Sequence, residues 1–194
     1  MRKDNGLNRN SNSKRRSQAG MSLVETLVAV SMLLVVAAGV LTIAVTALTT
    51  TENQGHLAAR TAEYAQDKME QLLALKYCDG SSDTTQFPSP PGGGTGLAGC
   101  TLNPDGSLNT SGTGGSSNTA APLAQYSDYL DKDGNILSSA GGVPANWYYI
   151  RAWQISSPAA NLKQIAVTVQ VRYGVGRGGR LAQSTIVSMK SFPF

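Results

Sequence analysis

LVAVSMLLVVAAGVLTIAVTAL, residues 27–48, contains neither a charge nor a proline. As an α-helix it is about 33 Å long, enough to cross the hydrocarbon of a bilayer. It also exceeds the roughly 7–15 apolar residues of an ordinary signal-peptide core. On its N-terminal side, Glu25 is the sole charge between Arg16 and Glu52. A carboxylate in hydrocarbon costs about 3 kcal/mol on insertion scales, so Glu25 needs a physical reason to be there. On the C-terminal side, LAARTAEYAQDKMEQLLALKYC (57–78) repeats apolar or small residues at Leu57, Thr61, Ala65, Met69, Leu72 and Leu73, close to the 3.6-residue period. The charges Arg60, Glu63, Asp67, Lys68 and Glu70 are expected mostly on other faces. No proline occurs before Pro88, so the pattern predicts one helix from about Met21 to Lys76, about 80 Å long. Its first half is apolar all round; its second half is amphipathic and requires a surface to lie against.

Charge fixes the orientation. Of 16 basic and 12 acidic residues, residues 1–20 hold six basic ones (Arg2, Lys3, Arg9, Lys14, Arg15, Arg16) and one acid, Asp4. The remainder, ten basic against eleven acidic, is nearly neutral. The net charge of +4 therefore belongs to the leader and does not point to nucleic acid as a partner. A basic flank before an apolar span predicts a cytoplasmic leader and an exported C-terminal part.

Beyond the helix, residues 79–122 are dominated by Gly, Ser, Thr and Pro. They read as a long loop with no core of its own, carrying one small hairpin at Asn103–Gly106. Cys78 and Cys100 flank its first half. In an exported domain they read as one disulfide closing a loop of about 23 residues, for roughly 3 kcal/mol; two unpaired buried cysteines are the alternative. From Asn146 the chain turns aromatic and β-branched. KQIAVTVQVRY (163–173) alternates, with Ile165, Val167, Val169 and Val171 on one face. With NWYYIRAWQI (146–155) and LAQSTIVSMKS (181–191) it predicts antiparallel strands joined by hairpins, whose apolar face meets the Leu57–Leu73 stripe. The expected organisation is thus a leader (1–20), a membrane helix (21–48), an amphipathic helical half (49–78), a loop (79–122) and a sheet (123–194).

Other signals are weaker. Asp131, Asp133 and Asn135 have the alternate spacing of calcium ligands, but no bidentate Glu follows at the right distance and a hairpin turn explains the same residues. GVGRGGR (174–180) superficially resembles a phosphate loop, yet it joins two strands rather than opening a helix. Arg177 and Arg180 within it are a thin basis for contact with DNA or a surface. About half of Trp147, Tyr148, Tyr149 and Trp153 are expected in the core, the rest being available for adhesion. His56 reads as an exposed helical residue. No nucleophile–base pair, metal cluster or cofactor motif is visible, so no enzyme and no cofactor are expected.

The stretch GMSLVETLVAV after a basic leader resembles the cleavage and methylation motif of type IV prepilins and of type II secretion pseudopilins. The resemblance covers residues 14–48. It implies that a prepilin peptidase cuts between Gly20 and Met21, that Met21 becomes N-methylated, and that Glu25 is the motif acid used in assembly. It implies a pilin-like α+β fold: a long N-terminal helix packed on a C-terminal antiparallel sheet, with a disulfide. Expected partners are the peptidase, other pilin or pseudopilin subunits through the helix, the inner-membrane assembly platform, and lipid before assembly. Expected location is the inner membrane, single-pass with a periplasmic head, then a pilus or a periplasmic pseudopilus. Met21, where major pilins often have Phe, is similar to minor pilins and pseudopilins, and no helix-kinking Pro of the kind many major pilins have occurs; TAEYAQDKMEQLLAL (61–75), followed by a Trp-containing strand and a final strand pair, is similar to PilV-type minor pilins and to the minor pseudopilin that helps initiate type II secretion filaments. The alternatives are a minor pseudopilin and a signal-anchored periplasmic binding protein. An ordinary signal peptide cut after Ala47 would place Glu25 inside its apolar core, which such peptides avoid.

Overall fold

A computed structural model describes residues 22–139, 142–173 and 181–193. The chain divides into two compact units, residues 1–46 and 47–194. One helix, α1 (Leu23–Ala74), supplies the described part of the first unit and opens the second. In the first unit every described residue is exposed. Leu23, Leu27, Leu33, Val36 and Ile43 all present their side chains outward. By length and composition the helix can cross a membrane.

The second unit is an α+β domain. Its strands are β1 (Thr101–Leu102), β2 (Leu108–Asn109), β3 (Gly114–Gly115), β4 (Ser127–Leu130), β5 (Ile136–Leu137), β6 (Tyr149–Ala159), β7 (Leu162–Val171) and β8 (Gln183–Ser191). β1 and β2 form a separate hairpin, closed by Asn103 N–H to Ser107 O at 2.8 Å. The main sheet is antiparallel, in the order β5-β4-β6-β7-β8, and β3 pairs with β6 beyond the end of β4. The expected packing of helix on sheet is present. Leu57, Tyr64, Ala65, Met69 and Leu72 pack with Leu130, Tyr149, Trp153 and Ile155, and with the Ile165, Val167, Val169 and Val171 face of β7. Across the same interface Thr61 and Ser184 share a hydroxyl hydrogen bond of 2.8 Å.

Three features differ from the sequence expectations. Residues 79–122 are not merely peripheral: Leu97 is fully buried in the core and β3 extends the sheet. Lys68, expected on a solvated face, is fully buried on the packed one. Leu73 is only half-buried. Among the described residues, the helix–sheet layer therefore contains the cations Lys68, Arg151, Lys163 and Lys190 with one carboxylate, Asp128. Backbone carbonyls, not acids, satisfy Lys163 and Lys190.

Candidate functional site

The start of α1 follows from local chemistry. Ser22 precedes the helix and its Oγ accepts the backbone N–H of Glu25 at 3.2 Å, which is an N-cap. Serine followed three positions later by glutamate is the capping-box spacing, a signal the sequence reading passed over. Glu25 in the first turn also lies at the positive end of the helix dipole.

The other polar side chains of this apolar run are satisfied by their own helix. Thr26 donates to Leu23 O (2.9 Å), Ser31 to Val28 O (2.8 Å), Thr42 to Ala38 O (2.8 Å) and Thr46 to Ile43 O (2.9 Å). Back-bonded hydroxyls are tolerated in lipid or in a helix bundle. Among the described polar side chains of residues 22–46, Glu25 alone makes no hydrogen bond or ion pair. It is a charge on an apolar rod with an unused partner position. Gly20 and Met21 lie outside the described residues.

Residues 15–41 match the prokaryotic N-terminal methylation motif. The chain carries a type IV pilin-like prepilin cleavage motif. No curated protein and no solved structure matches the chain. The motif spans Arg15, Arg16, Gly20, Met21, Glu25 and the first part of α1. It implies processing by prepilin peptidase and assembly with other pilins, and with the apolar helix it fits a membrane-anchored pilin.

In the second unit, Cys78 and Cys100 form a disulfide with Cα atoms 4.9 Å apart. Asp131, Asp133 and Asn135 are each engaged in local bonds. Asp131 accepts the backbone N–H groups of Asp133 (2.8 Å) and Asn135 (2.9 Å) and the Asn135 amide (2.9 Å), while Asp133 pairs with Lys132 at 2.8 Å. The segment is the turn joining β4 to β5. No group of three His, Cys, Asp or Glu gathers as a metal site among the described residues. Tyr149 and Trp153 are core residues, whereas Trp147 and Tyr148 are half-buried; Arg172 stacks on Trp147 at 4.9 Å. His56 is exposed. Residues 174–180, with Arg177 and Arg180, lie outside the described residues.

A buried ion cluster braces the domain. Asp128 accepts Arg151 Nε and Nη2, each at 2.7 Å, and Lys68 Nζ at 2.9 Å. Lys68 also donates to Gln71 Oε1 at 2.8 Å and to Thr84 O, and lies 4.1 Å over the Trp153 ring. Burial by itself raises the Asp128 carboxyl, but Lys68 and Arg151 outweigh it and hold it below the usual carboxylate range. Burial brings Lys68 down to about 8, Asp128 opposing the change and Arg151 adding to it. Beside this cluster a cavity of about 590 Å³ is lined by Asp67, Glu70, Gln71, Phe87, Ile136 and Arg151. Its polar groups include no nucleophile next to a base. The cluster ties helix to sheet.

Proposed function

We propose that the chain is a minor pilin-like subunit of a type IV pilus, cut between Gly20 and Met21, N-methylated at Met21, and assembled into the filament, where it primes or tips growth. The observation that carries this reading is Glu25. Among the described residues 22–46 it is the one polar side chain without a hydrogen-bond or ion-pair partner, and it lies inside a prepilin-type motif. Cleavage creates an ammonium at Met21. In a bundle of such helices, the Met21 ammonium of one subunit meets Glu25 of a neighbour. Each charge alone is expensive in an apolar core, and pairing removes most of that cost. Insertion in the wrong register leaves both charges unpaired, so the pair selects register. The disulfide-closed head then faces neighbours or the exterior.

The same motif and helix also serve a minor pseudopilin of a type II secretion filament. The long Gly- and Ser-rich segment after α1 favours the pilus. The test is the sheared-filament fraction of native cells, probed for the wild-type chain and for Glu25→Gln. Wild-type chain in that fraction, with Glu25→Gln reduced at least tenfold there yet retained in the membrane, is the expected result. Equal incorporation of the two would refute the role of Glu25. Loss of the wild-type chain from pili, with retention in a secretion filament, would favour the pseudopilin.

A further inference from the structure

Lys163, the second residue of β7, enters the core in the same in-out register as Ile165 and Val167. Its side chain is fully buried, and no carboxylate lies within ion-pairing distance among the described residues. Instead Nζ donates to three carbonyls: Tyr77 at 3.0 Å, Leu97 at 2.6 Å and Gly99 at 2.7 Å. Tyr77 and Gly99 are the residues immediately before Cys78 and Cys100. One ammonium thus grips both cysteine-bearing arms, one residue upstream of each sulfur. The Tyr77 ring lies 4.8 Å from the same nitrogen.

The N–H groups of the second arm are held from the opposite direction. Leu97 and Gly99 donate to Asp79 O at 2.7 and 2.9 Å, and Asp79 directly follows Cys78. The first arm leaves the end of α1, and there a second lysine acts. Lys190, the register partner of Lys163 on β8, donates to Leu73 O at 2.5 Å and Leu75 O at 2.6 Å. Like charges placed opposite each other across strands repel. Here the two divide their work, one on the last carbonyls of the helix and one on the cysteine arms.

We propose that Lys163 is the positioning residue for the Cys78–Cys100 disulfide: its ammonium joins the two arms before the bond exists and thereby sets the equilibrium for closing it. In the closing reaction, a thiolate of one cysteine attacks the disulfide of an oxidant, such as an exported thiol–disulfide exchange protein or glutathione disulfide. One oxidant sulfur leaves as a thiolate. The second cysteine then displaces the other, and the two cysteines have lost two electrons and two protons to the oxidant. Lys163 takes no part in electron transfer. It raises the effective concentration of one thiol at the other, as any device that pre-pays orientation does. By linkage, the bond and the ammonium cradle reinforce each other equally.

The test equilibrates the full-length chain in detergent with glutathione buffers, traps thiols by alkylation and reads the oxidised fraction by mass. It compares wild type, Lys163→Met and Lys190→Met. The inference expects Lys163→Met to lower the closing constant at least tenfold, about 1.4 kcal/mol. Lys190→Met, which frees the Leu73 and Leu75 carbonyls but removes no bond to Tyr77, Leu97 or Gly99, stays within threefold of wild type. Denatured in guanidinium, wild type and Lys163→Met should be equal. A Lys163→Met constant within threefold of wild type overturns the inference. So does an equal fall in Lys190→Met, which would make the effect general loosening. A second measurement needs no variant: hydrogen exchange on reduced wild-type chain. Leu97 and Gly99 amides protected at least tenfold over an unstructured chain are expected, because the arms are held without the bond. Full exchange at both amides would overturn the inference even if Lys163→Met does not fold.

Discussion

Replacing Asp128 by Asn removes the one anion that two buried cations share. The Asp128 side chain is 1% exposed, and it engages Arg151 at 2.7 and 2.7 Å and Lys68 at 2.9 Å. Breaking a buried pair while leaving its partner charged costs about 3–5 kcal/mol. Lys68 can escape part of this by releasing its proton, since burial has already brought it to about 8. Arg151 has no such escape and sets the loss. A domain of this size holds about 5–15 kcal/mol, so the variant should fold but be weakened. At about 2–4 °C per kcal/mol, Tm falls by about 10 °C. The assay is thermal unfolding of the full chain in detergent, read by tryptophan fluorescence, since Trp153 lies against Lys68. Adding Lys68→Met to Asp128→Asn should recover about 1 kcal/mol or more, because it deletes an unpaired charge. A loss under 1 kcal/mol for the single variant would refute the view that this cluster braces helix to sheet.

Three further outcomes follow from the same structure. Lys68 and Lys163 are brought by burial from the usual 10.5 to about 8, so between those values the unfolded chain binds protons that the folded chain releases. Stability should rise from pH 8 to 10 in urea titrations, then turn down as Tyr64, Tyr77, Tyr129 and Tyr149, all raised by burial, keep protons that the unfolded chain loses. At the acid end, the depressed Asp128 carboxyl stabilises the fold above its unfolded value. That contribution disappears as pH falls through the carboxylate range, and Asp128→Asn should flatten this limb. Gly115→Ala places a methyl 2.3 Å from the Trp153 carbonyl oxygen at a φ of +79°, and should cost about 2 kcal/mol or more by urea midpoint. Gly106→Ala, at a φ of +81° with open space around it, should cost only about 1 kcal/mol.

The parts of the fold written in local periodicity were legible. α1 shows itself by an uncharged run followed by a 3.6-residue stripe, and β7 by strict alternation. β4 was not legible because all four of its residues are buried, so it has no alternation to show. β3 is two glycines and β5 only two residues, too short for any pattern. Leu97 sits in a Gly-rich stretch whose composition argues against a core, and the Lys163 and Asp79 contacts around it are long-range facts. Lys163 and Lys190 keep the in-out parity of Ile165 and Ile186. Their charge argued for solvent, and only the five carbonyls of the folded chain reverse that argument. The N-terminal signal was readable because its basic leader, Gly20, Glu25 and apolar run are contiguous. The Ser22 cap was equally readable from its three-residue spacing to Glu25.

The most direct test of the account is tandem mass spectrometry of the N-terminal peptide of the protein recovered from its native cells. The account predicts a peptide that begins at Met21 and carries one methyl group on its α-nitrogen, with none from residues 1–20. A peptide retaining the leader through Gly20, or one beginning at Leu48 after an ordinary signal cleavage, would contradict it.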